Sequence, residues 1–292
     1  MKWQVSKTED GLLLKEYLTK VHGFSRRIIR TITSEQGCLL INEMFATVRR
    51  KLVEGDVVEV IFPSEKRGPL MHAEPIPLVI IYEDEDVIVI DKQAGMPSIP
   101  SHIHKQGTLA NALLYHYEQQ QLDYTVHIVT RLDRDTSGLM LVAKHRLSHS
   151  ILSLSQQRGE VNRRYQAIIS GHLKLKEGTI DAPIARKSTS IIERIVDPTG
   201  KKAITHFRVV EETNDNTVIQ IQLETGRTHQ IRVHFSYLGN PLVGDDLYGG
   251  ATDKISRQAL HCTNLSFIHP RTKKKIECTS DIPNDMKKIS QF

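Results

Sequence analysis

Four charged side chains that could take part in catalysis are crowded into the stretch TRLDRDTSGL, residues 130–139. Asp133 and Asp135 are two positions apart, so in an extended backbone their carboxylates would face the same side. The turn-favouring Thr-Ser-Gly and the apolar run LMLVA come next, which predicts a loop leading directly into a buried strand. Loops at the edge of a sheet commonly carry functional residues, so this loop is a candidate site.

Three kinds of chemistry are compatible with this pair of aspartates, and a structural role is a fourth possibility. The pair could bind a divalent metal, but Arg131 and Arg134 would repel a cation at short range. It could supply the acid and the base that cleave a glycosidic bond, although adjacent residues on one loop rarely have the different environments this needs. A single aspartate could act as nucleophile or base beside an arginine that keeps it ionised and oriented. Alternatively, both could cap backbone amides of a turn.

A second polar cluster follows an alternating strand pattern in LETGRTHQIRVHFSYLGNPLVGDDLYG, residues 223–249. It contains Arg227, His229, Arg232 and His234. Charged side chains next to an apolar element are costly unless they have partners, so the two arginines are expected to meet the Asp133 loop. The histidines are more typical of structural roles than of a metal site, and His102–His104 is a weaker metal signal still.

The composition is that of an ordinary globular protein: 292 residues, 39% hydrophobic and 25% charged. No apolar run is long enough to span a membrane, and the N-terminus has no apolar signal core, so we expect a cytoplasmic protein. Three distant cysteines do not suffice for a disulfide framework or a zinc site. The net charge of +5 is concentrated in clusters, which favours a polyanionic partner such as nucleic acid. These clusters lie at residues 25–30, 49–51, 158–165 and 271–275.

The pattern of periodicity and breakers predicts two domains. Residues 1–62 show two helices followed by strands, a small α+β binding module with Arg26, Arg27 and Arg30 on its second helix. Residues 63–76 are rich in proline and charge and are predicted to be a linker. Residues 77–292 predict an α+β domain built on a large mixed, mainly antiparallel sheet with covering helices. Within it, residues 219–223 alternate as a half-buried antiparallel strand, and HQIRVHFSYLG is a candidate strand or strand–helix junction.

Several separated motifs, in order, resemble the RluA/RluD family of RNA pseudouridine synthases. They are YEDEDVIVIDKQAGMPSIP, RLDRDTSGLMLVAK, RRYQAIISG and LETGRTHQIRVHFSYLGNPLVGD, and the match covers about residues 76–290. The leading unit resembles the ribosomal-protein S-four-like RNA-binding module. The resemblance implies an enzyme that isomerises uridines to pseudouridine in structured RNA, most of all large-subunit ribosomal RNA, with transfer RNA as the alternative. It implies no cofactor, no metal and no membrane, and we expect a monomer.

The resemblance also assigns roles to individual residues. Asp133 matches the family's essential aspartate, Arg232 the arginine that pairs with it, and Tyr165 the tyrosine on which the flipped base stacks. Arg131 resembles the arginine that enters the RNA stack when the uridine leaves it. One departure is Thr130, where family members often have histidine, and it leaves the contacts around the base open.

Two rival functions remain at this point. A non-catalytic RNA-binding protein of the same fold would be free to lose Asp133, Tyr165 and Arg232, yet the sequence keeps all three. A glycoside or nucleoside hydrolase would use Asp133 and Asp135 together and would release a free base or sugar.

Overall fold

Two β-sheets and a short hairpin organise the chain in the computed structural model, which describes residues 1–101 and 103–290. A four-stranded sheet lies within residues 2–61, and a ten-stranded sheet lies within residues 79–279. Each sheet has its own core of buried apolar side chains, and helices pack against both. The predicted α+β class, with a large sheet and a small N-terminal α+β unit, is therefore confirmed.

The small unit has the two predicted helices and the predicted strand segments, but its first helix is short, and it begins with a strand that the sequence pattern does not predict. Its elements are β1 (Lys2–Gln4), α1 (Leu14–Glu16), α2 (Arg26–Ser34), β2 (Cys38–Ile41), β3 (Met44–Phe45) and β4 (Val57–Ile61). The strands pair antiparallel in the order β1-β4-β2-β3. Helix α2 begins after Ser25, whose hydroxyl accepts a hydrogen bond from the Ile28 amide at 3.2 Å, as an N-cap does. Helix α1 passes into a π-helical turn, Tyr17–Val21, which ends before Gly23.

The large unit is a mixed sheet with helices on its faces. Its elements are β5 (Val79–Glu83), β6 (Val87–Lys92), α3 (Leu109–Gln119), β7 (His127–Ile128), β8 (Ser137–Ala143), α4 (Arg146–Gln157), β9 (Asn162–Ser170), β10 (Glu177–Asp181), β11 (Ile184–Arg186), β12 (Arg194–Val196), β13 (Ile204–Glu212), β14 (Asn216–Leu223), α5 (Gln230–Tyr237), β15 (Leu260–Ile268), β16 (Lys275–Thr279) and α6 (Asn284–Ser290). The strand order is β10-β13-β14-β9-β15-β8-β6-β5, with β16 beside β15 and β7 beside β8. Among the strand pairs of the described residues, only β8 and β15 are parallel, so the sheet is mixed but mainly antiparallel, as predicted.

The parallel pair brings the Asp133 loop to the middle of the sheet, and it depends on Gly138. This residue has a φ of 107°, and a Cβ there would lie 2.4 Å from the carbonyl oxygen of Cys262 on β15. Ser137 and Gly138 already belong to β8, so the predicted turn closes earlier, where the Thr136 amide donates to the Asp133 carbonyl at 3.2 Å. Asp133 therefore sits directly ahead of a fully buried central strand.

The segment HQIRVHFSYLG is helix α5, and a strand assignment for it is wrong. All six residues 230–235 are buried, because the helix packs among sheet strands on several sides, so no helical period is visible in the sequence. Gln230 helps to start the helix, since its side-chain carbonyl accepts from the Arg227 amide at 2.9 Å. By contrast, residues 219–223 show the predicted alternation, with Ile219 and Ile221 fully buried between two antiparallel neighbours.

Helix α4 belongs to the large unit but completes the core of the small one. Leu147 is buried in the apolar cluster of the small unit, and Ile151 packs against the same cluster. A Cβ added at Gly23 would come within 3.2 Å of the Ile151 side chain, so the two units touch at close range there. The small unit is therefore seated on α4 by apolar contact.

The predicted linker, residues 63–76, has no helix or strand and runs along the large unit. Glu65 forms an ion pair with Arg146 at 3.0 Å. The Asn111 side-chain amide of α3 donates to the carbonyls of Leu70 and His72 at 3.3 and 2.8 Å. The segment is therefore held by polar contacts along its length.

Candidate active site

The loop that carries Asp133 is fixed by two side chains at the end of β6 and in the turn after it. Lys92 is 1% exposed and donates to three carbonyl oxygens at 2.9 Å. These belong to Gln93, Met96 and Arg134. Ser98 donates to the Leu132 carbonyl, also at 2.9 Å. Burial lowers the pKa of Lys92 to about 7, although the charges of Asp135 and Asp133 act in the opposite direction. Lys92 and Ser98 thus both donate to main-chain carbonyls, and these hydrogen bonds fix the backbone around Asp133.

Arg232 of α5 links Asp133 to a second, buried carboxylate. Its Nη1 lies 3.3 Å from Asp133 Oδ2, while its Nε and Nη2 donate to Asp245 at 2.7 and 2.8 Å. The Asp245 side chain is fully buried, whereas that of Asp133 is 28% exposed. Burial opposes the charge on Arg232, but the pairs with Asp245 and Asp133 outweigh it and raise the pKa of the guanidinium. The arrangement holds Asp133 beside a permanent positive charge.

His229 is the second basic group near Asp133. It occupies left-handed backbone with φ 57° ahead of α5, and its Nε2 lies 3.9 Å from Asp133 Oδ2. Its Nδ1 meets the Tyr248 hydroxyl at 2.8 Å, and that hydroxyl also accepts the Arg194 amide at 2.9 Å. We therefore infer that the Tyr248 hydroxyl donates its hydrogen bond to Nδ1. The neutral ring then carries its own proton on Nε2, which faces Asp133. Burial lowers the pKa of His229, which favours this neutral form.

Tyr165 of β9 lines the same cavity as Asp133. The cavity has a volume of about 480 Å³. Its wall includes Ser98, Arg131, Asp133, Arg163, Tyr165, Gly226, Arg227, His229 and Arg232. Tyr165 is 3% exposed, and burial raises the pKa of its hydroxyl. The structure thus brings together Asp133, Tyr165 and Arg232, which lie far apart in the sequence.

The other charged residues of the loop have different surroundings. Arg131 is exposed and lies in the cavity wall. The Asp135 carboxylate accepts hydrogen bonds from Arg134 Nε at 3.0 Å and from Arg134 Nη2 at 2.9 Å, and the Asp135 carbonyl accepts one from Arg257 at 3.2 Å. Asp135 is not among the residues of the cavity wall, so its contacts are those of a turn.

Thr130 does not contact the cavity, so it does not alter the surroundings of a bound base directly. It is fully buried, and its hydroxyl accepts the Leu141 amide of β8 at 2.9 Å. His234 is also structural, because its ring bonds to the Thr205 hydroxyl and the Ala182 carbonyl, both at 2.9 Å. Arg227 does not pair with Asp133; its Nε donates to the Lys202 carbonyl at the cavity edge.

The three arginines of the small unit, Arg26, Arg27 and Arg30, are exposed on α2. Within residues 1–101 and 103–290 they form no ion pair with a carboxylate. None of them lines the cavity. They form a separate basic surface on the other unit.

One group of possible metal ligands lies outside this cavity. Asp84, Asp86 and His269 place one ligand atom each within 4.8 Å of one another. Both aspartates already have protein partners, because the Tyr82 hydroxyl donates to Asp84 at 2.6 Å and Arg271 Nε lies 2.6 Å from Asp86. A cation would have to displace that arginine, so the donor set suits an ion-pair network. His102 of the weak His102–His104 signal lies outside the described residues.

Sequence reasoning missed Asp245 and Lys92 as parts of the site. Asp245 stands beside Asp246 in a glycine-rich turn, and nothing in the sequence says which of the two is buried. Lys92 acts through its ammonium group on main-chain carbonyls, which leaves no partner motif to recognise. Arg163 carried a usable signal, since it is two residues before Tyr165 on one strand and so shares its face.

The chain matches the family model for RNA pseudouridylate synthase over residues 86–237. It is 52% identical to a Bacillus subtilis protein named "Uncharacterized RNA pseudouridine synthase YjbO", over 95% of this chain and 98% of the relative. It is 37% identical to ribosomal large subunit pseudouridine synthase D of Escherichia coli K12, over 97% and 90% of the two chains. Its fold is similar to human RNA pseudouridylate synthase domain containing 1, with a TM-score of 0.58, 27% identity and coverage of 74% and 86%.

The family match and these relatives define the class of protein, an enzyme that acts on RNA. The chain belongs to the RNA pseudouridylate synthase family and is an isomerase, as the resemblance to the RluA/RluD enzymes predicted. No helix among the described residues is long and apolar enough to cross a lipid bilayer.

Proposed function

We propose that this isomerase converts specific uridines of large-subunit ribosomal RNA into pseudouridine, with Asp133 as its catalytic carboxylate. The observation that carries the proposal is the placement of Asp133 in the cavity wall. In the described residues its side chain accepts a single hydrogen bond, from Arg232, and it is 28% exposed. One carboxylate oxygen is therefore free to meet a substrate. The name of the Escherichia coli relative supports ribosomal RNA as the substrate.

The reaction breaks the bond between ribose C1′ and uracil N1, rotates the base and joins C1′ to C5. The uridine first leaves the helix, which costs a few kcal/mol. Stacking on Tyr165 offsets this cost by about 1–3 kcal/mol. Asp133, ionised beside Arg232, then acts as nucleophile or base on the sugar or the ring. Since no group is added and no net redox change occurs, the reaction itself calls for neither cofactor nor metal.

The remaining RNA contacts follow from where the basic residues lie. Arg131, exposed in the cavity wall, fills the place in the stack that the uridine vacates. We assign RNA binding to residues 1–62, through Arg26, Arg27 and Arg30. Residues 63–76 connect this domain to the catalytic domain, residues 77–292. The enzyme acts as a monomer in the cytoplasm, where ribosomal RNA is made and modified in bacteria.

Comparison of Asp133→Asn with Asp135→Asn tests the chemistry. Large-subunit ribosomal RNA transcribed with uridine that carries tritium at C5 releases tritium when C5 forms its new bond. We expect Asp133→Asn to abolish release while RNA binding persists, and Asp135→Asn to have a much smaller effect. Release by Asp133→Asn at the wild-type rate would overturn the assignment. Free uracil among the products would indicate a hydrolase.

Mapping of pseudouridines identifies the RNA. Stable RNAs from cells with and without the gene are compared at single-nucleotide resolution. We expect the missing sites to lie in large-subunit ribosomal RNA. Loss confined to transfer RNA would contradict this choice of substrate without affecting the assignment of Asp133.

A further inference from the structure

Arg163 is a buried cation in the cavity wall that has no carboxylate partner in the described part of the chain. It is 8% exposed. Its side chain makes one long hydrogen bond, from Nη1 to the Tyr165 hydroxyl at 3.4 Å, and its buried Nε has no partner among the described residues. An arginine stays protonated inside a protein, so this position holds an uncompensated charge with free donors.

Two other arginines in residues 1–101 and 103–290 are equally buried, and both have carboxylate partners. Arg232 donates twice to Asp245, and Arg257, 9% exposed, donates twice to Asp285 at 2.7 and 3.0 Å. A buried charge without a counter-charge destabilises the fold. The exception at Arg163 is therefore expected if its acceptor arrives with the substrate.

We propose that Arg163 is a substrate-binding residue whose guanidinium donates hydrogen bonds to a carbonyl oxygen of the uracil stacked on Tyr165. The inference rests on the proposed function. Arg163 and Tyr165 are two positions apart on β9, so their side chains share one face of the strand. Gly226 leaves room for the guanidinium, since a Cβ there would lie 2.9 Å from Arg163 Nη2. Donors thus lie beside the aromatic ring, where the edge of a stacked base would be.

This contact stabilises the uracil as it leaves the sugar. When the C1′–N1 bond breaks, its electron pair goes to uracil, and the negative charge spreads over N1, O2 and O4. A guanidinium bonded to a carbonyl oxygen stabilises that anion more strongly than neutral uracil. When C5 then bonds to C1′, a ring electron pair forms the new bond, the C5 proton is lost to a base, and N1 takes up a proton, so the product is neutral and isomeric with uridine. Arg163 therefore lowers the energy of the separated state and remains unchanged at the end.

With O4 as the acceptor, the same donors distinguish uracil from cytosine. Cytosine carries an amino group where uracil has O4, so a donor at that edge would face another donor. A backbone phosphate is the alternative acceptor for Arg163. Burial argues against it, because Arg163 is 8% exposed, whereas the phosphates of a flipped nucleotide stay with the solvated strand. A phosphate contact would mainly strengthen RNA binding, whereas a uracil contact would mainly raise the rate.

The test replaces Arg163 by methionine, which keeps length and removes the charge. We expect the rate of tritium release at saturating enzyme, measured in a single turnover on the labelled ribosomal RNA, to fall by about 100-fold. Because an uncompensated charge has been removed, the thermal unfolding temperature should stay the same or rise. Arg163→Lys should recover part of the rate. Gly226→Ala, which displaces the guanidinium without removing it, should lower the rate and leave the unfolding temperature nearly unchanged.

Arg257→Met is the matched control, since it removes an equally buried arginine that has a partner. It should lower the unfolding temperature, because Asp285 loses its counter-charge. A wild-type saturating rate for Arg163→Met would overturn the inference. So would a defect confined to RNA affinity, which would indicate a phosphate contact. If the wild-type enzyme releases no tritium from this RNA, the proposed function itself is contradicted. This outcome differs from a failure of the inference about Arg163, which is seen only when the wild-type enzyme is active.

Discussion

Arg232 and Asp245 form a two-bonded ion pair, Nε to Oδ2 at 2.7 Å and Nη2 to Oδ1 at 2.8 Å, that solvent does not reach. Only Nη1 remains for Asp133, at 3.3 Å. The proposed catalytic carboxylate therefore faces a guanidinium that cannot rotate freely. Its orientation depends on Asp245, which is not part of the cavity wall.

Asp245→Asn should lower activity without changing any group that faces the cavity. Arg232 would lose the charge that anchors it, and breaking a buried pair costs about 3–5 kcal/mol of unfolding free energy. Urea unfolding and single-turnover tritium release measure the two effects. The control is Asp246→Asn, because the neighbouring side chain is exposed and no ion pair of the described residues includes it. Equal activity in both variants would show that the reaction does not depend on the orientation of Arg232 by Asp245.

Tyr165→Phe should keep much of the activity, while Tyr165→Ala should lose it. Phenylalanine retains the ring and gives up only a long hydrogen bond from Arg163. Alanine loses the stacking energy of about 1–3 kcal/mol for the flipped base. Single-turnover rates are compared after circular dichroism has shown that both variants are folded. If the two rates are equal, stacking on this ring plays no part.

Replacement of Arg26, Arg27 and Arg30 by alanine should weaken RNA binding and make it less sensitive to salt. If each arginine neutralises a phosphate, the slope of log affinity against log salt should fall in magnitude by roughly 2. The control is Lys20→Ala, because Lys20 is already paired with Glu16 at 2.8 Å. Filter binding across a salt series measures the slope, and an unchanged slope would argue against a role in RNA binding.

Gly138→Ala should prevent proper folding. Its Cβ would overlap the main chain of Cys262, at 2.4 Å from the carbonyl oxygen, between two central strands. Gly159→Ala is the matched control, since Gly159 also has a positive φ, 75°, but has open space around it. The control should cost only about 1–2 kcal/mol for left-handed backbone. Soluble yield and chemical unfolding measure both, and similar losses would refute the steric argument.

His261 should make the protein less stable in acid. Its ring bonds to the hydroxyls of Ser137 and Ser280 at 2.9 and 3.0 Å, and burial lowers its pKa from 6.5 to about 4. Between these values the unfolded chain binds a proton that the folded chain does not. The free energy of unfolding therefore falls as the pH is lowered through this window, by about 1.4 kcal/mol for each pKa unit.

His261→Gln should flatten the dependence of stability on pH between 6.5 and 4. Urea unfolding at several pH values measures it, with His206→Gln as control, since the His206 side chain is 39% exposed. A wild-type slope in His261→Gln would assign the acid sensitivity to other groups.

The sequence predicts the parts of the site that lie in local motifs. Asp133 precedes a strong apolar run, and Arg232 and Tyr165 each stand in a segment that resembles a known family. The sequence also predicted a mainly antiparallel sheet, because the alternation at residues 219–223 indicates an antiparallel strand. These signals come from short stretches of the chain, and the structure contains the elements that they predict.

Features that arise from distant contacts were not predictable. Helix α5 is buried on several sides, so its sequence lacks a polar face. The burial of Asp245 depends on Arg232, thirteen positions earlier in the chain. Thr130 stands next to the proposed catalytic motif but accepts a hydrogen bond from the amide of Leu141, so its position in the sequence is misleading. In each case, contacts between distant parts of the chain decide what is buried and what faces the cavity.

The seating of the small domain on α4 bears on how a uridine would be chosen. Leu147 and Ile151 pack in the apolar cluster of the small unit, so the two units share apolar contacts. We expect this contact to hold the proposed RNA-binding arginines of α2 at one distance from Asp133. An RNA helix held at one end would present to the cavity only the nucleotide at the matching distance. The choice of uridine would thus depend partly on its distance from the RNA segment bound by α2, independent of the base sequence around it.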